Sequence, residues 1–327
     1  MTALPLDAAI LDEARRFNRK LSHAPRFRVR NRFLPMLGQG LLRVSQLGAD
    51  RRLARGGIRV ERSAAFIAGA DGQRVPLRIL RPAGPVRGLV LDIHGGGWVI
   101  GNARMDDRFN AARVQACGVA VVSVDYRLAT GAPLGAVMDD CLVAARWLLE
   151  DGLPEYRGLP VCVVGESAGG HLAAATLLRL RAWPGLLRRV AGALLFYGVY
   201  DLAGTPEVHA AGPETLVLHG PSMAAALRML TPGLTDEERR RAPLSPLYGD
   251  LAGMPPALMF AGERDPLRED TLRMAARWRQ VAPVELHVLP EAPHGFIHFP
   301  TRMAQVALAR AQAWIDERIA RHAQAVG

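Results

Sequence analysis

From residue 88 to the C-terminus, short apolar runs alternate with longer segments of helical periodicity. The runs are GLVLDIHG (88–95), VAVVSVDY (119–126), PVCVVGE (160–166), VAGALLFYG (190–198), PALMFAG (256–262) and VELHVL (284–289). Unbroken apolar runs of this length suit strands buried on both faces. Alternation with helices implies a mostly parallel sheet covered on both sides, an α/β fold. Helices are expected over about 103–117, 134–150, 168–181, 267–280 and 302–321. Upstream, IRVERSAAFIAG (58–69) and RVPLRIL (74–80) read as two strands joined by a turn at Asp71-Gly72. They give the sheet an antiparallel edge.

Residues 200–250 break the alternation, with several prolines and two helical stretches at about 220–231 and 235–241. Residues 1–50 are helical and arginine-rich, with breaks at Pro25, Pro35 and Gly38. The expected division is a catalytic core of residues 51–200 and 251–327, with a helical cap of 1–50 and 201–250.

The chain has 327 residues, half of them hydrophobic, which fits one large domain with an insertion. It lacks an apolar run of about 18 residues, so stable membrane insertion is not expected. The N-terminus lacks the basic-then-apolar order of a signal peptide. Cys117, Cys141 and Cys162 are odd in number and sit in apolar segments, and they read as reduced thiols of a cytoplasmic protein. The formal charge is +10, and Lys20 is the only lysine among 41 basic residues. Arginines spread along the chain without a recognition motif argue against a nucleic-acid partner.

Gly165-Glu166-Ser167-Ala168-Gly169-Gly170 joins a predicted strand to a predicted helix. G-x-S-x-G in that setting is a nucleophile elbow, which exposes the serine on a sharp turn above the sheet. In this chain order an acid and then a histidine should follow, each just past a strand end. Asp265, 98 residues after Ser167, follows PALMFAG, and His294, a further 29 residues on, follows VELHVL. Glu263 and Asp270 are rival acids, and Glu263 is the more serious. His171, His287 and His298 are rival histidines. His287 lies inside a strand pattern, His171 packs or caps one turn into a helix, and His298 should open the last helix.

His94-Gly95-Gly96-Gly97 ends the strand GLVLDI. A dinucleotide fingerprint would need a glycine three residues after Gly97, and a P-loop would need Lys-Ser/Thr. The run fits an oxyanion loop instead, in which Gly95, Gly96 and Ala168 offer backbone N–H groups to a developing negative oxygen. Gly97 serves the turn, and His94 holds the loop. A side chain at Gly96 is expected to harm kcat far more than folding. Trp98 is a candidate for the substrate pocket.

These motifs, with Asp125-Tyr126-Arg127-Leu128-Ala129, Asp265-Pro266-Leu267 and His294-Gly295-Phe296, resemble the hormone-sensitive-lipase-like (HGGG-type) esterases of the α/β-hydrolase family. The resemblance covers about residues 55–320. It implies an eight-stranded, mostly parallel sheet with a helical cap. It also implies hydrolysis of short- to medium-chain carboxylic esters without metal or cofactor. A homodimer through the last strand and helix is typical of such a family. Two departures stand out. The family's Pro-Glu after Ala129 is replaced by Thr130-Gly131, and Glu166 stands where aspartate or threonine is common. The same three catalytic residue types would serve an amidase, thioesterase or carbamate hydrolase. A non-catalytic, ligand-binding homologue is the rival from another class, although serine, acid and histidine are all present here.

Overall fold

The computed structural model describes residues 4–28, 33–66 and 74–326. Eight strands form one sheet: β1 (Arg59–Ala65), β2 (Val75–Arg81), β3 (Gly88–Ile93), β4 (Val119–Val124), β5 (Val161–Glu166), β6 (Val190–Phe196), β7 (Ala257–Gly262) and β8 (Val284–Leu289). Their order is β1-β2-β4-β3-β5-β6-β7-β8. β1 pairs β2 and β2 pairs β4 antiparallel, and the other pairings are parallel. This is the α/β architecture with an antiparallel edge that the sequence predicts. The expected turn at Asp71-Gly72 lies outside the described residues.

β3 to β7 are buried along their whole length, because helices cover both faces. Two apolar layers result. One contains Leu91, Val122, Val163 and Leu195, which face helices Leu134–Leu149 and Ala168–Leu180. The other contains Val90, Val121, Val164 and Phe260, which face helices Asp107–Cys117 and Arg302–Val326. All three cysteines are free and buried in this core. Among the described residues, no helix is long and apolar enough to cross a membrane.

The helices start and stop close to the sequence reading, with two informative differences. The first is the stretch expected over 220–231, which divides into a 3-10 turn at Gly220–Ser222 and a helix at Met223–Leu230. The second is His298, which does not open the last helix. It closes a 3-10 turn at Phe296–His298, and the helix begins at Arg302. The N-terminal segment and the 200–250 insert touch through an isolated parallel bridge between Phe27 and Leu218.

Candidate active site

β5 ends at Glu166, and the helix Ala168–Leu180 begins one residue after Ser167. The turn between them puts Ser167 at φ 52° and ψ −119°. A non-glycine residue held there stores roughly 1–3 kcal/mol, which the surrounding structure must offset. The Ser167 N–H donates to the Phe196 carbonyl at 2.9 Å, tying the turn to β6. The flanking glycines are required by space. A Cβ on Gly165 would collide with the Gly169 carbonyl, and one on Gly169 would collide with the Ile93 carbonyl.

Two further strand ends converge on this serine. His294, in the loop after β8, places Nε2 2.9 Å from Ser167 Oγ. Its Nδ1 lies 2.8 Å from Asp265 Oδ2, in the loop after β7. The carboxylate can only accept, so Nδ1 carries the proton and Nε2 is free to accept from the serine hydroxyl. Asp265 is itself held by the Leu267 N–H, which donates to Oδ1 at 2.9 Å. Asp265 and His294 are buried, and Ser167 is half-buried.

The rival residues lie elsewhere. Glu263 is exposed and accepts from the Glu291 N–H. Asp270 is buried and accepts from the Tyr200 and Asp201 N–H groups. His287 sits on β8 with Nε2 2.7 Å from Glu285. His171 bridges Trp98 and the Leu244 carbonyl. Its Nε2–H donates to Leu244 at 2.8 Å, and its Nδ1 accepts the Trp98 indole N–H at 3.1 Å. Burial pushes the His171 pKa down to about 4, so the ring stays neutral in this role.

The loop after β3 is shaped by its own backbone. Gly96 has φ +99°, and a Cβ there would run into the Ile100 carbonyl oxygen. Gly97 has φ +59°. The glycine at position 96 is therefore demanded by the turn as well as by any ligand, so a side chain there disturbs folding too, contrary to the sequence reading. Gly95 has room for a Cβ only 3.1 Å from the Glu166 carbonyl and carboxylate.

Tyr126 props the same loop. Its hydroxyl donates to the His94 carbonyl at 2.7 Å, and its ring stacks on His94 at 4.1 Å. The His94 Nδ1–H lies 2.8 Å from the Gly95 carbonyl. The Ala129 N–H donates to the Trp98 carbonyl at 2.7 Å. The Asp125–Ala129 segment thus holds the loop even though Thr130-Gly131 replaces the family's Pro-Glu.

Trp98 and Ser167 line an apolar cavity of about 80 Å³, together with Phe27, Leu218, Met223 and Leu227. The N-terminal segment and the insert both contribute to it.

Glu166 is more than a local variant. It is buried, and its Oε2 accepts the Tyr197 hydroxyl at 2.7 Å and lies 2.7 Å from His298 Nε2. The adjacent His298 and the Tyr197 hydrogen bond hold its pKa below the carboxylate range, against the effect of burial. Tyr197 also packs edge-on against the His294 ring at 4.8 Å. Sequence reasoning missed Tyr197, which carries no motif, and placed His298 in a helix. The available signal was the four-residue step from His294 to His298.

Comparison with known proteins follows the same lines. Residues 90–298 match a family model described as alpha/beta hydrolase fold. The carboxylesterase NlhH of Mycobacterium tuberculosis is 32% identical over 266 residues, 78% of this chain and 82% of that protein. The crystal structure of the esterase LipW from Mycobacterium marinum is similar with a TM-score of 0.79 and 28% identity, covering 97% of this chain and 98% of that one. An esterase from the bacterial hormone-sensitive lipase family is similar with a TM-score of 0.71 and 25% identity, covering 96% and 99%.

Proposed function

The chain belongs to the α/β-hydrolase fold family, among its hormone-sensitive-lipase-like esterases, and on that premise we propose that it is a serine carboxylesterase acting through Ser167, His294 and Asp265. The observation that carries the reading is His294, which bridges Asp265 and Ser167 at 2.8 and 2.9 Å in the tautomer a general base needs.

Ser167 Oγ attacks the ester carbonyl while His294 Nε2 takes its proton. Asp265 keeps the proton on Nδ1 and stabilises the imidazolium. The carbonyl oxygen becomes negative and lies toward the N–H groups of Gly95, Gly96 and Ala168. Ala168 opens a helix, so its N–H has no intrahelical acceptor and the helix dipole favours an anion there. His294 then protonates the leaving alkoxide as the carbon–oxygen bond breaks, leaving an acyl-Ser167. Water attacks this ester with His294 again as base, releasing the acid and restoring the hydroxyl.

The described part of the N-terminal segment (4–28 and 33–50) and residues 201–250 form the cap over this site, and Trp98 lines the acyl pocket beneath it. A cavity of about 80 Å³ has room for roughly three water-sized groups. Short acyl chains, from acetyl to butyryl, are the fitting substrates.

Ser167→Ala tests the assignment with p-nitrophenyl butyrate. Turnover should vanish while the circular dichroism spectrum and Tm are retained. A fluorophosphonate should label the wild type at Ser167 and leave the variant unlabelled. Near-normal turnover by Ser167→Ala would refute the assignment.

A further inference from the structure

Behind the nucleophile, three ligand-type side chains from three separate elements point at one another. Glu166 ends β5, Asp106 precedes the helix Asp107–Cys117, and His298 closes the turn before the last helix. One ligand atom from each lies within 4.8 Å of the others. Glu166 and Asp106 are buried, and about a third of the His298 side chain is exposed.

Asp106 is the unusual member. It is 4% exposed, and its Oδ1 has no hydrogen-bond partner. It does not cap the helix it precedes. A buried carboxylate oxygen without a donor is costly, and such groups call for an explanation. Arg113, on the helix that follows Asp106, is already committed: its Nη1 lies 3.2 Å from Asp92 and 2.5 Å from Asn110. Asp106 thus faces a second buried carboxylate, Glu166, and an imidazole nitrogen.

We propose that Asp106, Glu166 and His298 form a binding site for a divalent transition-metal ion, separate from the hydrolytic chemistry. Two carboxylate oxygens and one imidazole nitrogen are a donor set for Zn²⁺ and unlike the all-oxygen sets of Ca²⁺ and Mg²⁺. Zinc holds such donors at about 2.0–2.2 Å, so on binding the 2.7 Å hydrogen bond between Glu166 Oε2 and His298 Nε2 opens, its proton leaves to solvent, and Asp106 moves in to the ion. The exposed side of His298 is the entry path and leaves the fourth coordination position to water. The ion satisfies the orphaned Asp106 oxygen. It also ties the end of the nucleophile strand to a helix start and to the loop that follows His294.

The test uses the full chain, freed of metal with a chelator and desalted, then titrated with ZnCl₂ alone by calorimetry near neutral pH. Wild type should bind one Zn²⁺ per chain and gain Tm. Asp106→Asn should weaken binding at least about 10- to 100-fold, the loss seen even for outer-shell groups, and should show no Tm gain. His298→Gln, at a partly exposed position, should give the same loss and serves as the readout if Asp106→Asn does not fold. Failure of the wild type to bind Zn²⁺ one-to-one, or binding by Asp106→Asn and His298→Gln equal to wild type, overturns the proposal.

Discussion

Phe27 is locked to Leu218 as an isolated parallel bridge. The Phe27 N–H donates to the Val217 carbonyl at 2.6 Å, and the His219 N–H donates to the Phe27 carbonyl at 3.1 Å. The clasp is pure backbone, so Phe27→Ala keeps it and removes only the ring from the cavity at Ser167. Each methylene newly buried there contributes about 0.8 kcal/mol. The ratio of kcat/KM for p-nitrophenyl octanoate over butyrate should rise by about 3- to 10-fold. An unchanged ratio would mean that Phe27 does not limit the pocket.

Asp265→Asn isolates the part played by the acid. The amide fills the same space but can donate toward Nδ1, favouring the wrong imidazole tautomer. In comparable triads this costs about 10⁴-fold in kcat. The expected result from steady-state kinetics is a collapse of kcat with KM nearly unchanged. A loss below tenfold would point to another orienting group.

Gly95 and Gly96 should separate under substitution. Gly96→Ala forces a Cβ into the Ile100 carbonyl at a φ of +99°, so both Tm and kcat should fall. Gly95→Ala meets Glu166 at 3.1 Å, a gap that a small shift can open. Its Tm should fall less than that of Gly96→Ala, while kcat falls by up to about a hundred-fold, because the shift moves the Gly95 N–H off the oxyanion and displaces the Glu166 carbonyl beside Ser167. Equal thermal losses in the two variants would contradict this account of the loop.

His171 gives the fold an acid limit. Its folded pKa of about 4 lies below the ordinary value of 6.5, so the unfolded chain binds the proton more readily. The associated stability is complete above about pH 6.5 and is lost as pH falls toward 4. A shift of this size corresponds to roughly 3 kcal/mol. Urea denaturation midpoints across that window should slope less steeply in His171→Gln than in wild type. Parallel slopes would show that other groups carry the acid sensitivity.

Most of the architecture is legible in the chain because β3 to β7 are buried on both faces. Full burial writes itself into the sequence as unbroken apolar runs. The elbow and the glycine loop are legible for another reason: backbone packed against backbone tolerates only glycine at a few fixed offsets. The sequence pattern runs His298 into the last helix because the turn at Phe296–His298 is a single 3-10 turn. Such a turn leaves no periodicity before the helix at Arg302. The Glu166, Tyr197 and His298 cluster was hidden because its members come from three elements and share no spacing rule. The cap is the least regular part, with short helices at Pro206–Ala210 and Asp236–Arg239 whose role depends on what they cover.

The partners at Ser167 lie far apart along the chain. His294 is 127 residues from the serine whose hydroxyl it faces, and both depend on parallel pairings that run from β3 through β8. Parallel sheets need long loops closed before their contacts form, and such topologies fold slowly. Hydrolytic competence should therefore be among the last properties regained after dilution from denaturant, trailing the return of helical circular dichroism. Turnover then reports completion of the native topology, which a spectroscopic measure of secondary structure registers too early.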